Sequence, residues 1–166
     1  MIANTDILIL GGYGRAGLEI ARLLLEHTTV RVTLGGRTLE KAQNAAANLN
    51  AHHAGERVSA TEVDIAQRES LHKAFAECEV VIVCVPYQGD SAEKVITAAL
   101  DTGIDYIDIN TDPGKHDVFA RMSERIRQGK STHACQARPG TRGARRYAAR
   151  VTSERSGVVT WALARS

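Results

Sequence analysis

The chain has 166 residues, 43% of them hydrophobic, with a formal net charge of +2, which suits one α/β-sized domain with an appended segment. No charged-then-apolar leader and no apolar run of membrane-spanning length occurs, so secretion and membrane insertion are not expected and a cytoplasmic location is. Cys78, Cys84 and Cys135 keep no C-x-x-C or other ligand spacing, which excludes a disulfide framework and predicts reduced core thiols and no metal centre.

The first predicted strand, Ile7-Leu8-Ile9-Leu10, runs straight into Gly11-Gly12-Tyr13-Gly14-Arg15-Ala16-Gly17, with G-x-G-x-x-G at Gly12, Gly14 and Gly17. The spacing has a physical logic. Gly12 permits the tight turn, Gly14 lets a pyrophosphate approach the backbone, and Gly17 lets the next helix pack against the strand. That helix is expected over 15–26, with its N-terminal N–H groups and positive dipole end facing the phosphates. A lone G-x-G-x-x-G can be an ordinary glycine-rich turn. Between a strand and a helix, with a second strand following, it reads as a dinucleotide-binding loop, and Gly11 through Gly17 are all candidate contacts.

The second strand is expected over 30–34, ending at Gly35-Gly36, and Thr38 can cap an alanine-rich helix through Leu49. His52-His53 read as part of a polar loop before Gly55. Residues 58–63 form the third strand and 67–77 a short helix. Val80-Val81-Ile82-Val83-Cys84-Val85 is nearly continuous apolar sequence, which predicts a strand buried on both faces and ended by Pro86. Asp90-Ser91-Ala92-Glu93 has the form of a capping box, opening a helix to Thr102 before Gly103. A fifth strand over 106–109, a helix over 118–128 and a sixth strand over 132–135 complete the pattern. This alternation predicts a doubly wound parallel sheet of strand order 3-2-1-4-5-6.

The end of the second strand distinguishes the two nicotinamide dinucleotides. An NAD site places Asp or Glu about twenty residues past the glycine loop, to accept the ribose 2′-OH. Here that position reads Leu34-Gly35-Gly36-Arg37-Thr38 and holds no carboxylate. Arg37 can clamp a 2′-phosphate and stack on adenine; Thr38 adds a hydroxyl and Lys41 a second positive charge. The plainer reading of Arg37 is a solvated loop cation. The pattern favours NADP(H) over NAD(H). Asp64, followed by Ile65, can accept from the adenine amino group or cap the next helix. Val85, Pro86 and Tyr87 leave the fourth strand where nicotinamide ribose should lie; Tyr87 is either a contact to cofactor or substrate or an aromatic lid.

Taken together, Gly11–Gly17, Gly36-Arg37-Thr38-Leu39-Glu40-Lys41-Ala42, Val63-Asp64-Ile65, Val83-Cys84-Val85-Pro86-Tyr87 and Thr102–Ile109 resemble the NADP-binding N-terminal domain of the saccharopine dehydrogenase-like family. The resemblance covers about residues 5–136 and implies a Rossmann fold, NADP(H), and an amino-acid-like substrate. Family members reductively condense an amino acid with an aldehyde or keto acid, or run the reverse oxidation. Full members continue into a second α+β domain that supplies most of the substrate pocket and usually the dimer contacts. The sequence leaves oligomeric state open; an unsatisfied sheet edge or exposed apolar face could drive self-association into a homodimer.

The family pattern fades after residue 136. Residues 1–136 carry a net charge of −4, whereas 137–166 carry seven arginines against Glu154. Pro139-Gly140-Thr141 and Arg146-Tyr147-Ala148-Ala149-Arg150 still resemble the family, but Arg142, Arg145 and Arg146 stand where apolar positions are expected. The segment is read as the remnant or start of a truncated substrate domain. With no interleaved aromatic around its arginines apart from Tyr147 and no recognisable motif, it is a poor nucleic-acid arm. Tyr-x-x-x-Lys, G-x-S-x-G, P-loop and H-E-x-x-H patterns are absent. Asp105, Asp108, Asp112 and Asp117 are expected to be mostly solvated turn and cap residues. No catalytic residue is assigned, and a non-catalytic NADP-sensing module is the alternative function.

Overall fold

A computed structural model describes residues 5–110, 113–128 and 133–135; the basic segment 137–166 lies outside the described residues. The elements are β1 (Asp6–Leu10), α1 (Arg15–His27), β2 (Arg31–Gly36), α2 (Leu39–His52), β3 (Val58–Glu62), α3 (Arg68–Phe75), β4 (Val80–Val83), α4 (Ser91–Thr102), β5 (Asp105–Asp108), α5 (Pro113–Gln128) and β6 (His133–Cys135). All strand pairs are parallel, and the sheet order is β3-β2-β1-β4-β5-β6. This is the predicted order. It puts β1 at the centre, with Ile9 beside Leu34 of β2 on one side and Ile82 of β4 on the other.

Period-two alternation divides the core between the two faces of the sheet. Ile7, Ile9, Val32, Leu34 and Ile82 face α1 and α2, packing on Ala21, Leu25, Ala42, Ala46 and Leu49. Leu8, Leu10, Val81, Val83 and Tyr106 pack on the other side with Phe75 of α3 and Val95 and Ile96 of α4. The small residues of α2 let it lie close to the strands. Phe75 and Leu71 are fully buried; truncating a core residue such as Phe75 to Ala costs about 3–5 kcal/mol.

Helix ends are held in ways the sequence suggests only in part. At the end of α4, Gly103 adopts a left-handed conformation at φ +71° and donates its N–H to Ala99 O at 2.9 Å, as expected of a C-terminal glycine. The capping box at its start does not form. Asp90 makes no side-chain cap bond, its φ/ψ of −90°/8° falls outside the extended region a cap needs, and its carboxylate pairs with Lys94 at 2.9 Å. Thr38 likewise precedes α2 without a side-chain cap bond. The α2 helix also runs further than expected and takes in His52, whose Nδ1 lies 2.8 Å from Asn48 O.

Two side chains join distant elements. Arg57 inserts its guanidinium under the C-terminus of α1, donating from Nη2 to Leu25 O at 2.7 Å and from Nη1 to Thr28 O at 2.8 Å and Val30 O at 3.2 Å. Leu25 O belongs to the last turn of α1, whose carbonyls lack intrahelical partners, Thr28 is its C-cap and Val30 lies in the link to β2. Asn50 of α2 uses both ends of its amide on one residue of β3: Nδ2 donates to Val58 O at 2.8 Å, and Oδ1 accepts from Val58 N–H at 3.0 Å. At the amino end of the sheet, Asp6 and Arg31 form a two-pronged ion pair between β1 and β2.

Candidate functional site

The carboxyl ends of β1, β2 and β4 meet where the strand order reverses, the usual place for ligands of open α/β sheets. The glycine loop leaves β1 there. Gly11, not Gly12, makes the sharp turn, at φ +76°. A Cβ on Gly11 would also lie 2.6 Å from Val85 Cγ1. Gly12 serves close approach: a Cβ there would come within 2.8 Å of Leu34 Cα. Gly17 seats α1 on the loop, since a Cβ there would run into Gly11 O and stand 2.8 Å from Gly12 Cα. Gly14 differs from these three. Its added Cβ would meet one neighbour, Gly11 O at 3.1 Å, so its outer side is open.

The loop is fixed by its own backbone. Gly11 and Gly12 donate their N–H groups to Gly35 O, and Gly14 N–H donates to Gly11 O at 2.9 Å. Gly14 is the N-cap of α1 and contributes no side-chain cap, and the first turn of the helix holds no acidic residue. Its initial N–H groups and dipole therefore face the groove without a negative side chain of their own, which favours an anion. Arg15 and Ala16, exposed at this first turn, border the same opening.

At the end of β2, Tyr13 packs its ring against Gly36, where a Cβ would collide with it. The Tyr13 hydroxyl accepts the Thr38 N–H at 3.3 Å, so the loop tyrosine supplies the partner that the Thr38 side chain does not. Arg37, Thr38 and Lys41 are exposed. The end of β2 carries no carboxylate, and Arg37 makes no hydrogen bond or ion pair among the described residues. Asp64, two residues past the end of β3, is an acid that feels Arg37. Its carboxylate accepts from Ala66 N–H at 3.0 Å and from Gln67 Nε2 at 2.9 Å. These bonds, foremost that of Ala66, hold it below the ordinary carboxylate range, with Arg37 contributing through space. The N-cap of α3 is Gln67, so Asp64 closes the turn before the helix. Ile65 packs against the α3/α4 side of the core.

The fourth strand ends at Val83, two residues short of expectation, although Cys84 N–H still donates to Leu10 O at 2.9 Å. Val85, Pro86 and Tyr87 form the exit loop. Here the structure overturns one expectation. Asp108 is completely buried, not solvated, and anchors a polar cluster. Its Oδ2 accepts from Tyr87 Oη at 2.8 Å and Tyr106 Oη at 2.7 Å; its Oδ1 accepts from Asn110 N–H at 2.7 Å. The two phenol oxygens also touch each other, and Asn110 Nδ2 donates to Val85 O at 2.7 Å. Burial first, then the neighbouring Tyr87 and Asp108, raise the Tyr106 hydroxyl well above its usual value, so it remains a donor. Tyr106 and Asp108 lie two apart on one face of β5, which was the available signal; the partner Tyr87 could not be read from spacing. Cys84 is half-buried, and its thiol is pushed up to about 12, chiefly by burial and also by Asp108. It is a poor nucleophile there. Among the described residues, no group of three or more His, Cys, Asp and Glu side chains could hold a metal ion, and no helix is long and apolar enough to cross a membrane.

A parallel sheet in this order, with a glycine loop between β1 and α1, defines a dinucleotide-binding Rossmann domain. The chain belongs to the saccharopine dehydrogenase NADP binding domain family, whose profile matches residues 7–149, and NADP is the cofactor of such domains. Yeast saccharopine dehydrogenase (L-Glu forming), from Saccharomyces cerevisiae, superposes with a TM-score of 0.63 at 23% identity, covering 79% of this chain and 26% of that enzyme. Triphenylmethane reductase from a Citrobacter species, complexed with NADP(H), superposes at 0.58 with 22% identity over 78% of this chain and 48% of that one. These likenesses are of fold. In sequence, N-acetyl-gamma-glutamyl-phosphate reductase from Symbiobacterium thermophilum is 33% identical over 112 residues, 68% of this chain and 30% of that protein. The chain thus spans under a third of the length of that reductase and of the yeast dehydrogenase.

Proposed function

We propose that this domain binds NADP(H) as the cofactor half of a saccharopine dehydrogenase-type oxidoreductase acting on a C–N bond of an amino-acid-like substrate. The observation that carries the reading is Arg37: a cation with no hydrogen bond or ion pair among the described residues, at a strand end without a carboxylate. Arg37, with Thr38 and Lys41, receives the 2′-phosphate, and Tyr13 shapes the floor beside them. Gly14, Arg15 and Ala16 at the N-terminus of α1 receive the pyrophosphate, and Gly11, Gly12 and Gly17 hold that loop in place. Asp64 and Ile65 border the adenine; Val85, Pro86 and Tyr87 border the nicotinamide half.

When bound, the cofactor supplies or accepts hydride. The chain's own residues orient it and provide one wall against water, while substrate enclosure belongs to a second domain, as in the longer relatives. A cytoplasmic homodimer is the matching cellular form. The test is calorimetric titration of NADPH and NADH into the wild type and Arg37→Ala. NADPH should bind more tightly than NADH, and the variant should lose about tenfold or more, about 1.4 kcal/mol, for NADPH alone. Equal binding of both nucleotides by the wild type would overturn the 2′-phosphate assignment.

A further inference from the structure

The cluster around Asp108 joins three loops at the carboxyl edge of the sheet. Gly11 of the glycine loop packs on Val85 of the β4 exit. Val85 O is held by Asn110 Nδ2, the Asn110 N–H is held by Asp108 Oδ1, and Asp108 Oδ2 receives Tyr87 from the same β4 exit. Burying a carboxylate is costly unless it is well bonded, and Asp108 is fully buried with three donors from three residues. A hydrophobic residue in its place would fill the same space beside Tyr106 without that cost. What the acid adds is a fixed position for the partly buried Tyr87 ring.

We infer that Asp108 is a positioning residue: it locks Tyr87 and the Val85–Tyr87 loop into the wall of the groove that receives the nicotinamide half of the cofactor. The inference rests on the cofactor reading above. If Arg37 marks the adenosine side, beyond β2, and the glycine loop marks the pyrophosphate, the other half lies across the switch point over β4 and β5, where Tyr87 stands. Tyr106, the second donor to Asp108 Oδ2, holds the carboxylate toward Tyr87.

The experiment separates the two halves of the ligand. NADPH and 2′,5′-ADP, which carries the adenosine half alone, are titrated into wild type, Tyr87→Phe, Asp108→Asn and the double variant, with thermal melts alongside. Tyr87→Phe keeps the ring and loses the link, so it should fold like the wild type. Each single variant should weaken NADPH by about threefold to tenfold while changing 2′,5′-ADP by less than about twofold, the worth of one hydrogen bond. The double variant should be no worse than Asp108→Asn, because both changes break one link. The fluorescence of bound NADPH should broaden in the variants as the nicotinamide loses its fixed wall. Equal losses for both ligands would make the cluster purely structural, and an unchanged NADPH affinity in Tyr87→Phe would refute the link; either overturns the inference. A wild type that binds neither ligand would overturn the cofactor reading, and this inference with it.

Discussion

Gly17 has no side chain because the loop beneath it leaves no room for one, with Gly12 Cα 2.8 Å from where a Cβ would sit. Gly17→Ala must push α1 off the glycine loop. Overpacking of this kind costs about 1–3 kcal/mol, measurable by urea unfolding, and the displaced helix should also weaken NADPH binding. The sequence points to this position directly, since strand, glycine spacing and helix are all local. It points to Arg37 for the same reason: the charge and the missing acid are visible without knowing the fold. Asp108 was not legible. An Asp in the run Asp105, Asp108, Asp112 and Asp117 reads as exposed, and of the three donors that make its burial tolerable, Tyr106 and Asn110 are local but Tyr87 arrives from the far side of α4. Cys84 offers a second check at this scale. With its thiol pushed up to about 12, it should react with a thiol reagent at pH 8 far more slowly in the folded protein than in urea. A Cys78→Ser/Cys135→Ser background isolates its signal, and equal rates would mean that the site is open.

Individual elements owe their ends to long-range partners as much as to local signals. The Asp90-Ser91-Ala92-Glu93 pattern matches a capping box by letter, but Lys94 one turn on takes the Asp90 carboxylate. In its place Ser91 Oγ accepts the Gln88 N–H at 2.8 Å. The C-terminus of α1 is finished by Arg57, 29 residues beyond Thr28 in sequence, which no local rule anticipates. Arg57→Ala leaves the Leu25, Thr28 and Val30 carbonyls without these bonds. Hydrogen bonds to a charged group are worth about 1.5–3 kcal/mol each in favourable cases, and water recovers part at this semi-exposed site. A loss of about 2 kcal/mol is expected in chemical denaturation, with hydrogen exchange rising first in the last turn of α1. Gly103, by contrast, was readable from its place after Thr102. Gly103→Ala at φ +71° should cost about 1 kcal/mol.

For the whole molecule, strand order was the most legible property, because alternating strand and helix patterns leave few right-handed ways to wind a parallel sheet. Electrostatics sets how its stability varies with pH. Asp6 is held below its ordinary value chiefly by the Arg31 hydrogen bonds, Asp64 by Ala66 and Gln67, and Glu19 by Arg22. In each case the folded state holds its proton less tightly than the unfolded chain. The contribution is therefore complete above the ordinary carboxylate values of 3.8 and 4.5 and is lost as pH falls through the depressed folded ones. All three groups are exposed enough that the effect is modest. The melting temperature should fall on acidification below that range, and less steeply in Asp6→Asn than in the wild type.

The bond pair from Asn50 to Val58 has a consequence for how the molecule behaves in a crowd. β3 borders the sheet, and a foreign strand laid alongside it would begin by pairing with outward backbone groups such as those of Val58. Asn50 presents an amide in the position of that foreign strand and uses up both groups. The first rung of this border is occupied, so fibrillar stacking through β3 loses its natural starting point. Asn50→Ala vacates the rung without touching the groove at the opposite ends of the strands. Its mark should be faster growth of light scattering on mild heating, with nucleotide binding intact.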